Sequence, residues 1–189
     1  MAVKNLLSTG ALLAGLLACA GTLAADASYQ PRVGMDGKDV IWVPNPEAMV
    51  EKMLDVAAVT ADDFVIDLGS GDGRNVIGAA KRGARARGVE FNPDLVLYAR
   101  QRAAAAGVAD RAQFVEGDMF AADVSQASVL ALFLLPDNLR KLTPKFVDMK
   151  AGARIVSNTY EIPGWPADAS ETVREGCAAF CIEIGRAHI

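Results

Sequence analysis

Histidine is all but missing from this 189-residue chain: the single one, His188, is the penultimate residue, which removes the commonest donor for a zinc site, and no metal is expected. Cysteine is nearly as scarce, with Cys19 near the N-terminus and Cys177 and Cys181 near the other end. On a helix that last pair would share one face and on a strand it would be too far apart to bridge, so two buried apolar thiols fit better than a disulfide. An excess of positive charge is also lacking. Nineteen Lys and Arg stand against 23 Asp and Glu, a net charge of −4, with no basic stripe and no basic patch interleaved with aromatics, which disfavours DNA or RNA as a partner. Repeats and a dividing linker are absent too, so the body reads as one domain, of ordinary globular composition at 52% hydrophobic and 22% charged.

Charge is missing altogether from Asn5 to Ala25, after a lone Lys4. Leu6 to Ala18 is mildly apolar and small residues follow at Ala24, Ala25 and Ala27, which is the pattern of a secretory signal. Cleavage near residues 24 to 27 is the first choice. An uncleaved membrane anchor and a lipoprotein site at Leu16-Leu17-Ala18-Cys19 stay open beside it. Loss of residues 1–27 removes Lys4 and Asp26 and leaves the net charge at −4. The expected location is therefore exported or periplasmic, or membrane-anchored, with the N-terminal segment as the means of membrane association.

Ser28 to Val40 is polar, carries Pro31, Gly34 and Gly37, and with Val40-Ile41-Trp42-Val43 makes a lead-in over 28–43 that looks mobile. Asn45 then fits an N-cap, with Pro46 at the first helical position and Glu47 at the positive end of the dipole, for a helix to about Val56. The run Phe64-Val65-Ile66-Asp67-Leu68 has the β-branched, apolar character of a buried parallel strand, and Asn75 to Lys81 that of a helix. A second strand at Ala86 to Glu90, a helix from Asn92-Pro93 to about Ala106 closed by Gly107, and a third strand at Ala112 to Val115 follow. Ser128 to Leu135 and Ala153 to Ser157 read as a fourth and fifth strand, with a helix from Asp137 to Met149 that Pro144 interrupts. This alternation predicts an α/β fold, a doubly wound, mostly parallel sheet with its site at the carboxyl ends of the strands.

The site is expected where the first strand meets Gly69-Ser70-Gly71-Asp72-Gly73. The backbone must turn sharply there and let a ligand approach, which glycine permits because it has no Cβ. The spacing Gly-x-Gly-x-Gly departs from the G-x-G-x-x-G of dinucleotide enzymes and follows an acid, Asp67, by two residues. Glu90 lies 23 residues further on at the end of the second strand, where a carboxylate can accept both hydroxyls of a ribose, and Glu116-Gly117-Asp118-Met119 ends the third. Each acid alone reads as a turn former or a solvated charge. Together, in this order, they form one pattern.

That pattern resembles the class I, seven-strand S-adenosylmethionine-dependent methyltransferases over about Pro44 to Asn158. Val43-Pro44-Asn45-Pro46-Glu47, Phe133-Leu134-Leu135-Pro136 and Val156-Ser157-Asn158 add a closer similarity to the compact protein-lysine methyltransferases of mitochondrial membranes and their bacterial relatives. The resemblance implies a Rossmann-like methyltransferase domain over 44–189 and S-adenosylmethionine as cofactor, held by Asp67, Gly69, Ser70, Gly71, Glu90, Phe91, Asp118 and Met119. It implies methyl transfer to an acceptor, a protein lysine among the choices, and leaves the catalytic residues unassigned. Phe133 stands where amino-group methyltransferases carry Asn or Asp, so that polar contact is missing. Asn158 and Tyr160 suit either an acceptor pocket or capping and packing. The family sheet closes with an antiparallel pair, yet only about twenty residues follow Trp165-Pro166, so one further strand near Ala178 to Ile184 and a truncated hairpin are expected. Two other functions fit less of the pattern: an exported, non-catalytic S-adenosylmethionine-binding protein, and an NAD(P)-dependent oxidoreductase, against which the glycine spacing counts. S-adenosylmethionine is made in the cytosol, so an anchored form with a cytosolic domain would reconcile the cofactor with the N-terminal segment.

Overall fold

Alternation of apolar side chains along each strand puts one set on either face of a central sheet, and the helices cover those sets. The computed structural model describes residues 29–173 and 182–188. The expectations for residues 1–27 and for Cys177 and Cys181 lie outside them. In chain order the elements are α1 (Glu47–Val56), β1 (Phe64–Leu68), α2 (Arg74–Lys81), β2 (Arg85–Glu90), α3 (Pro93–Ala105), β3 (Ala112–Glu116), β4 (Val129–Leu132), α4 (Pro136–Phe146), β5 (Arg154–Asn158), β6 (Ala169–Val173) and β7 (Ile182–His188). The sheet order is β3-β2-β1-β4-β5-β7-β6. The first five strands are parallel, and β7 runs antiparallel to both β5 and β6.

The two faces are covered unequally. Val65, Ala86, Phe114, Val129, Ala131 and Val156 pack against α1, α2 and α3. Ile66, Leu68, Leu130, Leu132 and Ile155 meet a single helix, α4, through Leu139, Leu142 and Phe146. The crossovers at residues 117–128 and 159–168 carry no helix, and their Val124, Ala127 and Ile162 fill in beside α4. Burial on both sides explains why all four residues of β4 are apolar, each with no accessible surface. Pro144 does not break α4: it sits in the last turn, and the helix ends two residues later at Phe146.

Three further sequence expectations change. Asn45 is not a side-chain N-cap; Pro46 holds that position without a side-chain hydrogen bond, and the Asn45 amide turns inward to other partners. Residues 34–42 fold back on themselves, with Gly34 N–H donating to Trp42 O at 2.9 Å and Trp42 N–H to Met35 O at 2.9 Å, so the lead-in is a strap and not a loose tail. The closing hairpin is not truncated. Both its strands are present, β7 inserted beside β5 and β6 at the sheet edge, where Glu171 forms an ion pair with Lys52 of α1. The polar run Ala169-Ser-Glu-Thr-Val173 hides this edge strand from a search for apolar runs.

At the amino-terminal ends of the parallel strands Asp63 joins four segments. It accepts from Thr60 N–H at 2.8 Å and from the Ser128 hydroxyl at 2.7 Å, and it pairs with Arg154, whose guanidinium also donates to Ala57 O at 2.8 Å. Burial pushes the Asp63 carboxyl up, but Thr60, Ser128 and Arg154 outweigh it and hold the group below the ordinary carboxylate value. A depressed carboxyl contributes stability above its unfolded pKa of about 3.9 and loses it as the pH falls through the folded value. Urea unfolding is therefore expected to show a midpoint that drops in acid, below about pH 4, and an Asp63→Asn protein that is weaker at pH 7 and loses less between pH 7 and pH 3. Phe146 has no accessible surface and anchors the one helix on its face. Phe146→Ala is expected to cost about 3–5 kcal/mol in the same measurement.

Candidate functional site

β1 stops at Leu68, and the chain leaves the sheet through three glycines that all take left-handed backbone angles: Gly69 at φ 75°, Gly71 at 53° and Gly73 at 81°. Space is as restrictive as conformation. A Cβ on Gly71 would stand 2.5 Å from the Trp42 indole nitrogen, and one on Gly73 2.5 Å from the Phe114 ring. The end of β2 then fixes the loop. Val89 O accepts from Gly69 N–H at 2.8 Å and Ser70 N–H at 3.1 Å. The Glu90 carboxylate takes Gly71 N–H on one oxygen and Asn92 N–H on the other, each at 2.9 Å.

All eight residues expected at the site surround two adjoining cavities that share Gly69. Gly69, Glu90, Phe91, Asp118 and Met119 line one, and Asp67, Gly69, Ser70 and Gly71 the other. Asp118 lies at the rim with one oxygen accepting from Phe120 N–H at 2.8 Å and the other from the Lys38 ammonium at 2.7 Å. The pair holds the Asp118 carboxyl below its usual range, with the Phe120 amide adding to the effect. Phe91 stands 52% exposed across from it, and Met119 is buried beneath.

Asp67 is the unusual group. It is 3% exposed and receives the Asn75 amide at 3.1 Å. Burial pushes its carboxyl well above the ordinary value; the Asn75 hydrogen bond opposes this, and the negative charges of Glu90 and Asp72 add to it. Asp72 is buried too but is clamped by Arg74 and Arg102, each at 2.6 Å. The Ser70 hydroxyl is buried with no hydrogen-bond partner.

Trp42 and the inward role of Asn45 escaped sequence reading. Trp42 lines both cavities together with Phe133, and the two form their apolar walls. Asn45 donates to Asn75 at 3.2 Å and accepts from Asn158, while its backbone carbonyl accepts from Arg74. A chain of buried amides thus runs from Asn158 of β5 through Asn45, just before α1, and Asn75 of α2 to Asp67. Asn158 has no accessible surface, so it packs and ties rather than lines a pocket, and Tyr160 lies against the core under α4. The signal for Asn45 was present in its setting, Pro44-Asn45-Pro46, but its partners are far away in sequence.

These features fit an adenosyl ligand. Gly69 and Gly71 bring bare backbone to the cavity walls, the buried Ser70 hydroxyl lacks a partner, and carboxylates stand at the ends of three strands, Asp67, Glu90 and Asp118. Among the described residues no cluster of His, Cys, Asp or Glu can hold a metal, and no helix is long and apolar enough to cross a membrane.

Comparison with known proteins agrees with this geometry. A family model described as the ANTKMT methyltransferase domain matches residues 67–169. A protein-lysine N-methyltransferase of Saccharolobus islandicus is 41% identical over 152 residues, 79% of this chain and 90% of that protein. The adenine nucleotide translocase lysine N-methyltransferase of Mus musculus is 37% identical over 103 residues, 53% of this chain and 45% of that one, so the chain spans less than half the length of this relative. Among solved structures, an RNA methyltransferase of Salinibacter ruber in complex with S-adenosylhomocysteine superposes with a TM-score of 0.72 at 42% identity, covering 78% of this chain and 94% of that one.

A raised carboxyl weakens the folded state as it ionises. Below the unfolded pKa Asp67 is neutral in both states and costs nothing; as the pH rises toward the raised folded value the cost grows. Asp67→Asn is therefore expected to raise the melting temperature at pH 8, with the gain shrinking toward pH 4, as followed by calorimetry without ligand.

Proposed function

This chain belongs to the ANTKMT methyltransferase-domain family and is an S-adenosylmethionine-dependent methyltransferase, and from that premise we propose that its acceptor is a lysine side chain of a protein. The observation that supports this acceptor is the 41% identity to the Saccharolobus islandicus protein-lysine N-methyltransferase across 90% of that protein's length. The net charge of −4 favours the same choice over nucleic acid.

In this reading the glycine loop carries the methionine end of the cofactor and the strand-end acids carry the adenosine. Glu90, held by two backbone N–H groups, keeps its remaining lone pairs for the ribose hydroxyls. Asp118 would receive the adenine amino group, and Phe91 and Met119, which line the same cavity, would supply apolar surface for the ring. Asp67 sits at the foot of the loop, where a cationic ligand group would favour its ionised form and offset the cost of its burial. The bound cofactor supplies the electrophilic methyl group on a positive sulfur. The chain's own residues align and dry the approach: Trp42, Val43 and Phe133 wall the loop side of the cavities, so an acceptor amine entering there is held in line and away from water. No catalytic base is required of the protein once the lysine has lost its proton.

The similarity to a protein described as an RNA methyltransferase makes RNA the second reading. Incubation with methyl-tritiated S-adenosylmethionine, one arm with a proteome extract and one with total RNA, separates the two. Label is expected in protein and, after acid hydrolysis, in methylated lysine; label confined to RNA would sink the lysine assignment. Glu90→Ala is expected to weaken cofactor binding at least about tenfold by titration calorimetry, because it removes the ribose acceptor and frees the Gly71 and Asn92 amides together.

A further inference from the structure

The cavities beside the glycine loop hold only about 80 and 40 Å³. Small-molecule sites usually offer roughly 300–1,000 Å³. What closes them is the strap. Residues 36–43 line the outer wall of the larger cavity, Trp42 rests on Gly71, and Trp42 and Val43 continue into the smaller one. Among the described residues the strap's polar hold on the body beneath is a single side chain. The Lys38 ammonium donates to Asp118 at 2.7 Å and stands 4.9 Å over the centre of the Phe91 ring.

That position is chemically the one an adenine would take. One Asp118 oxygen is engaged by Phe120 N–H and the other by Lys38, and both Asp118 and Lys38 line the cavity, so a ligand amino group would compete with the ammonium for that second oxygen. The Phe91 face is the apolar surface on which a purine would stack, and the cation covers it. Asp39, next along the strap, is the other carboxylate whose charge acts on Lys38, and it lines the same cavity.

We propose that Lys38 is a latch of the cofactor site: its ammonium stands in for the adenine amino group between Asp118 and Phe91 and holds residues 36–43 over the pocket until the cofactor displaces it. The inference rests on the assignment of Asp118 and Phe91 to the adenine made above. It adds that the strap is part of the site and that cofactor entry requires it to open. Both contacts are solvent-accessible, so the latch is weak enough for a bound cofactor to outcompete and is screened by salt.

The test is titration calorimetry of the full chain with S-adenosylhomocysteine, which lacks the sulfonium charge, at 50 and 500 mM NaCl. Lys38→Met is compared with wild type and with Lys81→Met, an exposed lysine at the end of α2 that controls for net charge. Lys38→Met is expected to bind about three- to tenfold tighter than wild type at low salt. Raising the salt is expected to tighten wild type about two- to threefold and to leave Lys38→Met unchanged. Equal or weaker binding by Lys38→Met, with wild type still binding, overturns the latch and leaves the cofactor assignment intact. Failure of both folded proteins to bind overturns the two together.

Discussion

The glycine loop has its shape because the end of β2 holds it there. Three consecutive N–H groups, from Gly69, Ser70 and Gly71, point at one carbonyl and one carboxylate, those of Val89 and Glu90. An unheld loop of this composition would have many conformations, since glycine loses more freedom on ordering than any other residue. Five of the eight expected cofactor residues therefore depend on the register between β1 and β2, in which Asp67 pairs with Gly88 and Leu68 with Val89. Gly88 belongs to the same arrangement. A Cβ there would stand 2.4 Å from the Ser70 hydroxyl, so the strand makes room for the loop it holds.

Asp67 and Glu90 show how the same side-chain chemistry is set to different purposes by surroundings. Glu90 is partly accessible and has two amide partners. Asp67 is buried with one amide donor and has two other acids near it. Burial therefore disfavours the Asp67 charge, whereas Glu90 keeps two amide donors on its carboxylate. Asp63, at the other end of β1, is the contrast: buried as well, but satisfied by Thr60, Ser128 and Arg154, and stabilising.

What was legible in the sequence was whatever short range decides. β1, the glycine spacing, the acids at the ends of β2 and β3, and the Asn92-Pro93 start of α3, where the Asn92 side chain accepts from Asp94 N–H at 2.9 Å, all follow from neighbours along the chain. What stayed hidden depends on partners far apart. Asn45 looks like a cap because Pro46 and Glu47 follow it, yet its amide meets Asn75 and Asn158 across the fold. The strap reads as polar lead-in because its apolar residues, Val40 to Val43, show no period until Gly71 supplies a surface to rest on. β6 was missed since Ser, Glu and Thr make an edge strand without an apolar run. The unequal cover of the sheet was equally invisible, because the absence of helices at 117–128 and 159–168 cannot be told from weak periodicity.

The amide chain from Asn158 through Asn45 and Asn75 to Asp67 has one more consequence. Its three side chains carry no charge and do not titrate at any pH a protein survives. The link between the fifth strand, the start of α1, α2 and the first strand is therefore the same in weak acid and weak base, and it is indifferent to salt. A framework of that kind stays fixed while its ligands change their protonation. For the lysine acceptor proposed above, the rate should follow the acceptor's own proton, rising toward the alkaline range where a free lysine, with a pKa of about 10.4, begins to bare its lone pair.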